Sequence, residues 1–283
     1  MARRPSFDEP MSRLAAWSGR LALFALAVAV LSILILRANV LEIEPALATF
    51  GAALALAGLA VLLALLSFVS IWRHGRPGLG RAAGGLLLGL ALLAYPAYLG
   101  YRASKLPALT DISTDTDNPP RFIALAKQRP PGRLDYPGGK AADQQDEAYP
   151  DLAALQLDIA PQEAYRAALG VALKRKWQLI DAHPPGGVRR EGVIELVART
   201  PIMGFRDDVV IRVAPSEDGA RIDVRSASRY GTYDFGANAA RIRSLLEDID
   251  DAAGEISPEP QPAAAPEKEK KPAKRPPRRG TRR

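Results

Sequence analysis

Groups able to do chemistry crowd one stretch of this chain: Arg225, Ser226, Ser228, Arg229, Asp234, Asn238 and Arg241, with Arg243 just beyond. Arg225 and Arg229 stand four residues apart, so on a regular strand their side chains share a face. A helix starting near Asp234 would add backbone N–H donors. Together these groups would hold a phosphate, carboxylate or sulfate. The alternative is a structural corner, in which Arg229 pairs with Asp234, Asn238 caps backbone groups and the serine hydroxyls bond the turn. A hydrolase would need Ser226 or Ser228 as nucleophile and His183 as base. The chain lacks a Gly-x-Ser-x-Gly elbow, and His183 stands in a Pro/Gly-rich turn, so no catalytic residue is assigned.

The remaining inventory narrows the chemistry. There is no cysteine, and the only histidines are His74 and His183, which excludes thiolate sites, disulfides and a multi-histidine metal site within one chain. Asp111, Asp115, Asp117 and Asn118 resemble a calcium loop only superficially, because the glycine and the closing glutamate are missing and Pro119-Pro120 follow. Turn and capping duties are expected of them, and neither a metal nor a cofactor is expected.

The elements that must position these residues can be read from periodicity. Residues 152–159, 177–182, 191–200, 206–214 and 220–228 read as strands, with Val209, Ile211 and Val213 alternating against Asp208 and Arg212. Residues 162–176, opened by Pro161, and 235–252, with Asp234 at the N-cap, read as helices. Residues 106–150 are punctuated by Pro and Gly and read as an extended surface run. The order is β-α-β-β-β-β-α, an α+β domain with an antiparallel sheet and its helices on one face.

Ahead of this domain lie uncharged runs at 21–36, 46–72 and 82–101. They predict an anchor, residues 1–105, of three transmembrane helices at about 18–38, 46–72 and 82–101. Arg3 and Arg4 faintly resemble a twin-arginine signal, but no cleavage site follows, so the first run reads as an uncleaved anchor. Gly85 and Gly89 form a small-xxx-small pair, and Pro96 is expected to kink the third helix. None of the three uncharged runs holds an Asp, Glu, Lys, Arg or His, which argues against a transporter. Arginines 3, 4, 13 and 20 before the first span, and 73, 76 and 81 in the second loop, place those segments in the cytoplasm; Arg102 and Lys105 run against the rule. The expectation is a bacterial inner-membrane protein with a cytoplasmic N-terminus and a periplasmic domain.

The net charge of +7 divides into +6 for 1–105, −4 for 106–253 and +5 for 254–283. The last segment interleaves Pro with Lys and Arg and reads as a disordered tail. It would be drawn to anionic lipid or an acidic envelope polymer, by about 1 kcal/mol per basic residue near a charged surface. No stacking aromatic interrupts it, which argues against nucleic acid.

The motifs Asp111-Ile112-Ser113-Thr114-Asp115, Asn118-Pro119-Pro120-Arg121-Phe122, Tyr149-Pro150-Asp151 and Arg206-Asp207-Asp208-Val209-Val210 come in a distinctive order. They lead to Asp223-Val224-Arg225-Ser226-Ala227-Ser228-Arg229, then Gly231, Asp234-Phe235-Gly236, Asn238 and Arg241. In these residues the chain resembles the DUF1499 family, over about residues 108–252. The resemblance supports the domain's limits at 106–253 and implies no activity. The expectation is a binding domain for an anionic ligand, lipid or envelope partner. An envelope enzyme using the same corner, or a non-catalytic scaffold, are the alternatives. The oligomeric state stays open.

Overall fold

The computed structural model describes residues 12–40, 42–129, 134–186 and 190–256. The predicted tail lies outside the described residues from 257 onward. Three long helices come first: α1 (Arg13–Ala38), α2 (Ile43–His74) and α3 (Leu79–Ala103), each longer than the apolar run that predicted it. All three are long and apolar enough to cross a membrane. Their buried residues are small: Ala22, Ala25 and Ala29 on α1, Ala53, Ala57 and Ala60 on α2, Gly85 and Gly89 on α3. A Cβ on Gly85 would lie 2.0 Å from the Ser18 hydroxyl, and one on Gly89 would lie 2.7 Å from a Val61 methyl. The two glycines are therefore where α3 closes on α1 and on α2, as the small-xxx-small spacing implies. Pro96 lies inside α3.

The bundle has two unlike ends. At one, Ser12 N–H donates to Pro77 O at 3.1 Å, bringing the start of α1 to the α2–α3 loop with its arginines. Trp17 and Trp72 are exposed at this end. At the other, the α1–α2 turn and the end of α3 meet the domain. Arg37 Nη1 donates to Pro201 O (2.7 Å) and Ile202 O (3.1 Å), and Arg199 Nη1 donates back to Arg37 O (3.3 Å).

The domain is a six-stranded antiparallel sheet. Its strands are β1 (Asp111–Ser113), β2 (Leu155–Leu157), β3 (Gln178–His183), β4 (Gly192–Arg199), β5 (Arg206–Pro215) and β6 (Ala220–Ser228). The order is β1-β6-β5-β4-β3, and β2 also pairs with β6. Thus β1 and β2 share one edge of β6: Asp111 sits opposite Ala227, Leu155 opposite Ile222. Strand β1 is absent from the predicted order; three residues carry too little pattern to show. Helix α4 (Gly139–Ala148) replaces part of the predicted extended run. Its interior, Ala-Ala-Asp-Gln-Gln-Asp-Glu-Ala, is made of residues that favour or tolerate helix, and this outweighs the Pro/Gly punctuation before it.

Helices α5 (Pro161–Lys174), with Pro161 in its first turn, and α6 (Ala237–Gly254) cover one face of the sheet, as predicted. The core lies between: Ile194, Leu196, Val209, Ile211 and Val224 against Ala168, Val171, Ile242, Leu245 and Ile249. The alternating positions of β5, Asp208, Val210 and Arg212, face the other way, but not into water. Residues 114–129 lie across them, with Leu134 and Tyr136 alongside, and Asp208 is fully buried. A second, smaller core of Phe122, Leu125, Val197, Val210 and Ala227 forms beneath that segment.

Candidate functional site

Because strand side chains alternate, β6 sends its even residues to the helices and its odd residues to the opposite face. The predicted corner is therefore divided. Ser226, Ser228, Asp234, Asn238 and Arg241 meet on the helix side, whereas Arg225 and Arg229 lie on the other.

On the helix side the polar groups turn on one another. Ser226 Oγ donates to Asn238 Oδ1 (2.8 Å), while Asn238 Nδ2 donates to Ser228 Oγ (2.9 Å) and Thr110 O (3.1 Å). Arg241 donates to Ser226 Oγ (2.8 Å) and pairs with Asp207. Asp234 is not the N-cap residue, which is Gly236. Phe235 and Gly236 both take positive φ, and this tight turn lets Asp234 accept the N–H groups of Gly236 (2.7 Å) and Asn238 (2.9 Å) from outside the helix. Burial raises the Asp207 carboxyl above its usual range against the pull of Arg241, and raises Asp234 against the hydrogen bonds from Asn238 and Gly236. The arrangement is a joint that fastens α6 to β6. Arg243, further along α6, pairs with Asp151 and lies over the Tyr149 ring at 5.4 Å.

The opposite face is a ladder of buried ions. Arg225, 2% exposed, donates to both Asp111 oxygens (2.9 and 2.7 Å), to Pro120 O (3.2 Å) and to Leu134 O (2.8 Å). Its guanidinium lies between the rings of Phe122 (4.8 Å) and Tyr136 (5.2 Å). Arg229 reaches Asp208, not Asp234, at 2.6 Å, and Arg129 grips the same carboxylate at 2.8 Å. Asp115 and Asp223 share Arg212 and Arg221. Glu195 is buried without a cation among the described residues, and its oxygens accept the N–H groups of Ile123 (2.8 Å), Ala124 (2.9 Å) and Leu125 (2.8 Å). Burial raises the Asp111 carboxyl against its bond to Arg225. It pushes Asp208 up to about 6 against Arg129, with Asp207 and Glu195 adding to the rise.

Above Arg225 opens a cleft of about 470 Å³, whose lining includes Asn118, Arg121, Phe122, Arg129 and Tyr136 together with the acids Asp117 and Asp135. Among the described residues the exposed Arg121 has no ion pair or hydrogen bond from its side chain. The Tyr136 hydroxyl is buried and has no hydrogen-bond partner among them. Burial, followed by Asp111 and Asp146, pushes its pKa up to about 12. Sequence reasoning missed this cleft. The only available signal was the pair of aromatics, Phe122 and Tyr136, in a Pro/Gly-rich run.

The other candidates disperse. His183 is on edge strand β3, paired with Asp181 at 2.9 Å, and β4 and β5 separate it from the serines of β6. Asp111 and Asp115 serve different arginines, and Asp115 Oδ1 caps Asn118 N–H at 2.8 Å, the expected turn duty. Among the described residues no cluster of His, Cys, Asp or Glu could hold a metal ion.

No curated protein matches the chain. Residues 111–249 match a family described as a protein of unknown function, DUF1499. The match runs from the first residue of β1, through the ion ladder and the joint, to within the last turns of α6. The sheet with its two faces, carried behind three helices able to cross a membrane, is thus the part of the chain that matches the DUF1499 family.

Proposed function

We propose that this protein is a membrane-anchored binding module, whose domain takes a small ligand with an anionic group and a flat or apolar part into the cleft above Arg225. The observation that carries the reading is the meeting, in one cleft, of a cation, Arg121, and the buried hydroxyl of Tyr136, neither of which has a side-chain partner among the described residues. An unmade hydrogen bond of a buried polar group costs about 1–3 kcal/mol, which a ligand oxygen would recover. Arg121 supplies charge, Phe122 and Tyr136 supply flat walls, and Arg225 with Asp111 holds those walls apart. Of the predicted site, Arg225 forms the floor and Arg229 acts through the Asp208 that it shares with Arg129. Ser226, Ser228, Asp234, Asn238 and Arg241 serve the ligand only by keeping α6 in place. The test is native mass spectrometry of the full chain released from nanodiscs. Arg121→Ala and Tyr136→Phe are expected to lose a co-purifying anion while the melting temperature barely moves. No bound species in the unaltered protein would leave a non-catalytic scaffold.

We further propose that residues 1–105 are the anchor, 106–253 the binding domain, and 254–283 a tail drawn to anionic lipid or an envelope polymer. The membrane is the bacterial inner membrane, with the domain periplasmic. What supports this is that Arg13, Arg20, Arg73, Arg76 and Arg81 gather at the end of the bundle away from the domain. In this cysteine-free chain, Ser216→Cys should react with an impermeant maleimide on intact spheroplasts and Arg76→Cys should not. The reverse pattern inverts the protein.

A further inference from the structure

We infer that the domain rests on the lipid headgroup layer of its own membrane, through the β4–β5 turn and the loop between β6 and α6, with Ile202, Tyr230 and Tyr233 at the interface. Helix α1 sets the level. From Trp17 to Arg37 is about 30 Å at 1.5 Å per residue, one hydrocarbon thickness, so Arg37 stands where α1 leaves the apolar layer. Arg37 holds the carbonyls of Pro201 and Ile202, and a Cβ on Gly204 would lie 2.9 Å from its side chain, so the β4–β5 turn is at that level too. Helix α3 gives a second marker. Tyr98 and Tyr101 are exposed near its end, and Arg102 lies over the Tyr98 ring at 6.0 Å. The loop after β6 abuts this end, where a Cβ on Gly236 would come within 2.7 Å of the Arg102 guanidinium.

The side chains left over on these two loops suit that level. Ile202, Tyr230 and Tyr233 are 38–43% exposed, although each is large enough to belong in a core. An aromatic ring with a polar tip is at home between lipid and water. Neither loop carries an acid until Asp234, which is buried, whereas Arg37, Arg199 and Arg206 border them. The far end of the same sheet is different: the β5–β6 turn carries Glu217 and Asp218. The domain thus presents a basic, aromatic end to the membrane and an acidic end away from it, the polarity that anionic headgroups favour. This holds whichever side of the membrane the domain occupies and does not depend on the cleft.

The test uses the full chain in bilayers of phosphatidylethanolamine and phosphatidylglycerol, with single nitroxide labels on Ile202→Cys, Tyr233→Cys and Ser216→Cys. Collisions with oxygen are expected to exceed those with a water-soluble nickel chelate at 202 and 233, and the order is expected to reverse at 216. Labels at 202 and 233 as open to nickel as 216 would overturn the inference. Labels shielded from both reagents would also overturn it, assigning the surface to a second copy or another protein. Met203→Cys and Thr232→Cys give the same decision without altering the apolar side chains.

Discussion

In the helical bundle, the inward residues other than Leu36 are alanines, serines and glycines, and most leucines, Phe24, Val30 and Val69 point outward. On the outer face of the sheet, beside a small apolar core, the inward residues include Glu195, Asp208, Arg212, Asp223 and Arg225. Each region hides what its surroundings reward least for exposure. In lipid, large aliphatic side chains gain nothing by turning inward, and helices hold together by close approach at small residues. Over the sheet, the segment at 114–129 offers few apolar residues. It is fastened by charge, with each buried ion matched to an opposite ion or to backbone N–H groups. The bundle is thus tuned by volume and the ladder by pairing, so the two should fail differently.

The largest effect is expected from Arg225→Ala. It would leave Asp111 buried without its partner, at about 3–5 kcal/mol, read as a lower urea midpoint for the domain with the bundle unchanged. Replacing the pair together, Arg225→Met with Asp111→Leu, should restore most of that loss; if it does not, the ladder is more than a set of pairs. Next comes pH. Asp208 titrates near 6 in the fold and near 4 when unfolded, so the folded state binds its proton more tightly. Stability from this group is full below about 4 and is lost as pH rises through about 6. Thermal scans across that window should show the fall, and Asp208→Asn should flatten it. A flat profile in the unaltered protein would show that Arg129 and Arg229 keep Asp208 ionised throughout.

Gly85→Leu attacks the bundle by volume instead. It should destabilise the α1–α3 contact by about 1–3 kcal/mol, read as loss of helicity at lower dodecyl sulfate fractions, with the domain's urea midpoint unmoved. The smallest effect is expected from Glu195→Gln, about 1–2 kcal/mol, because the amide still accepts from Ile123 and Ala124 but turns a donor toward Leu125. Faster hydrogen exchange confined to residues 123–125 would be its mark.

These two kinds of interior differ in how far they can be read from sequence. The spans are visible because a run of apolar residues is a local property. The helix side of the sheet is visible because Val209, Ile211 and Val213 repeat at period two. The ladder is not: Asp208 and Arg212 in that repeat look like solvent-facing residues, and their cover comes from a segment without periodicity. Arg225 and Asp111 are 114 residues apart, and nothing local announces their pairing. Arg229 had Asp234 as its nearest acid in sequence, yet across the sheet Asp208 is closer. The predicted site gathered the right residue types, but the alternation of β6 separates them. The cleft escaped notice because it is made by chain crossing, not by motif.

The edge that β1 and β2 share has a consequence for how the molecule is made. Both strands dock on β6, the last strand to leave the ribosome, after α3 has already entered the membrane. Until residues 220–228 emerge, β1 and β2 have no strand to pair with, and Asp111 has no Arg225 to meet. Assembly of this edge therefore waits for β6 and closes over a long separation, the kind of topology that folds slowly. A chain released early at the β5–β6 turn would carry a finished anchor and a domain whose β1 and β2 have no strand to dock on. Its membrane would then hold a lesion that protein quality control could recognise by its missing last strand.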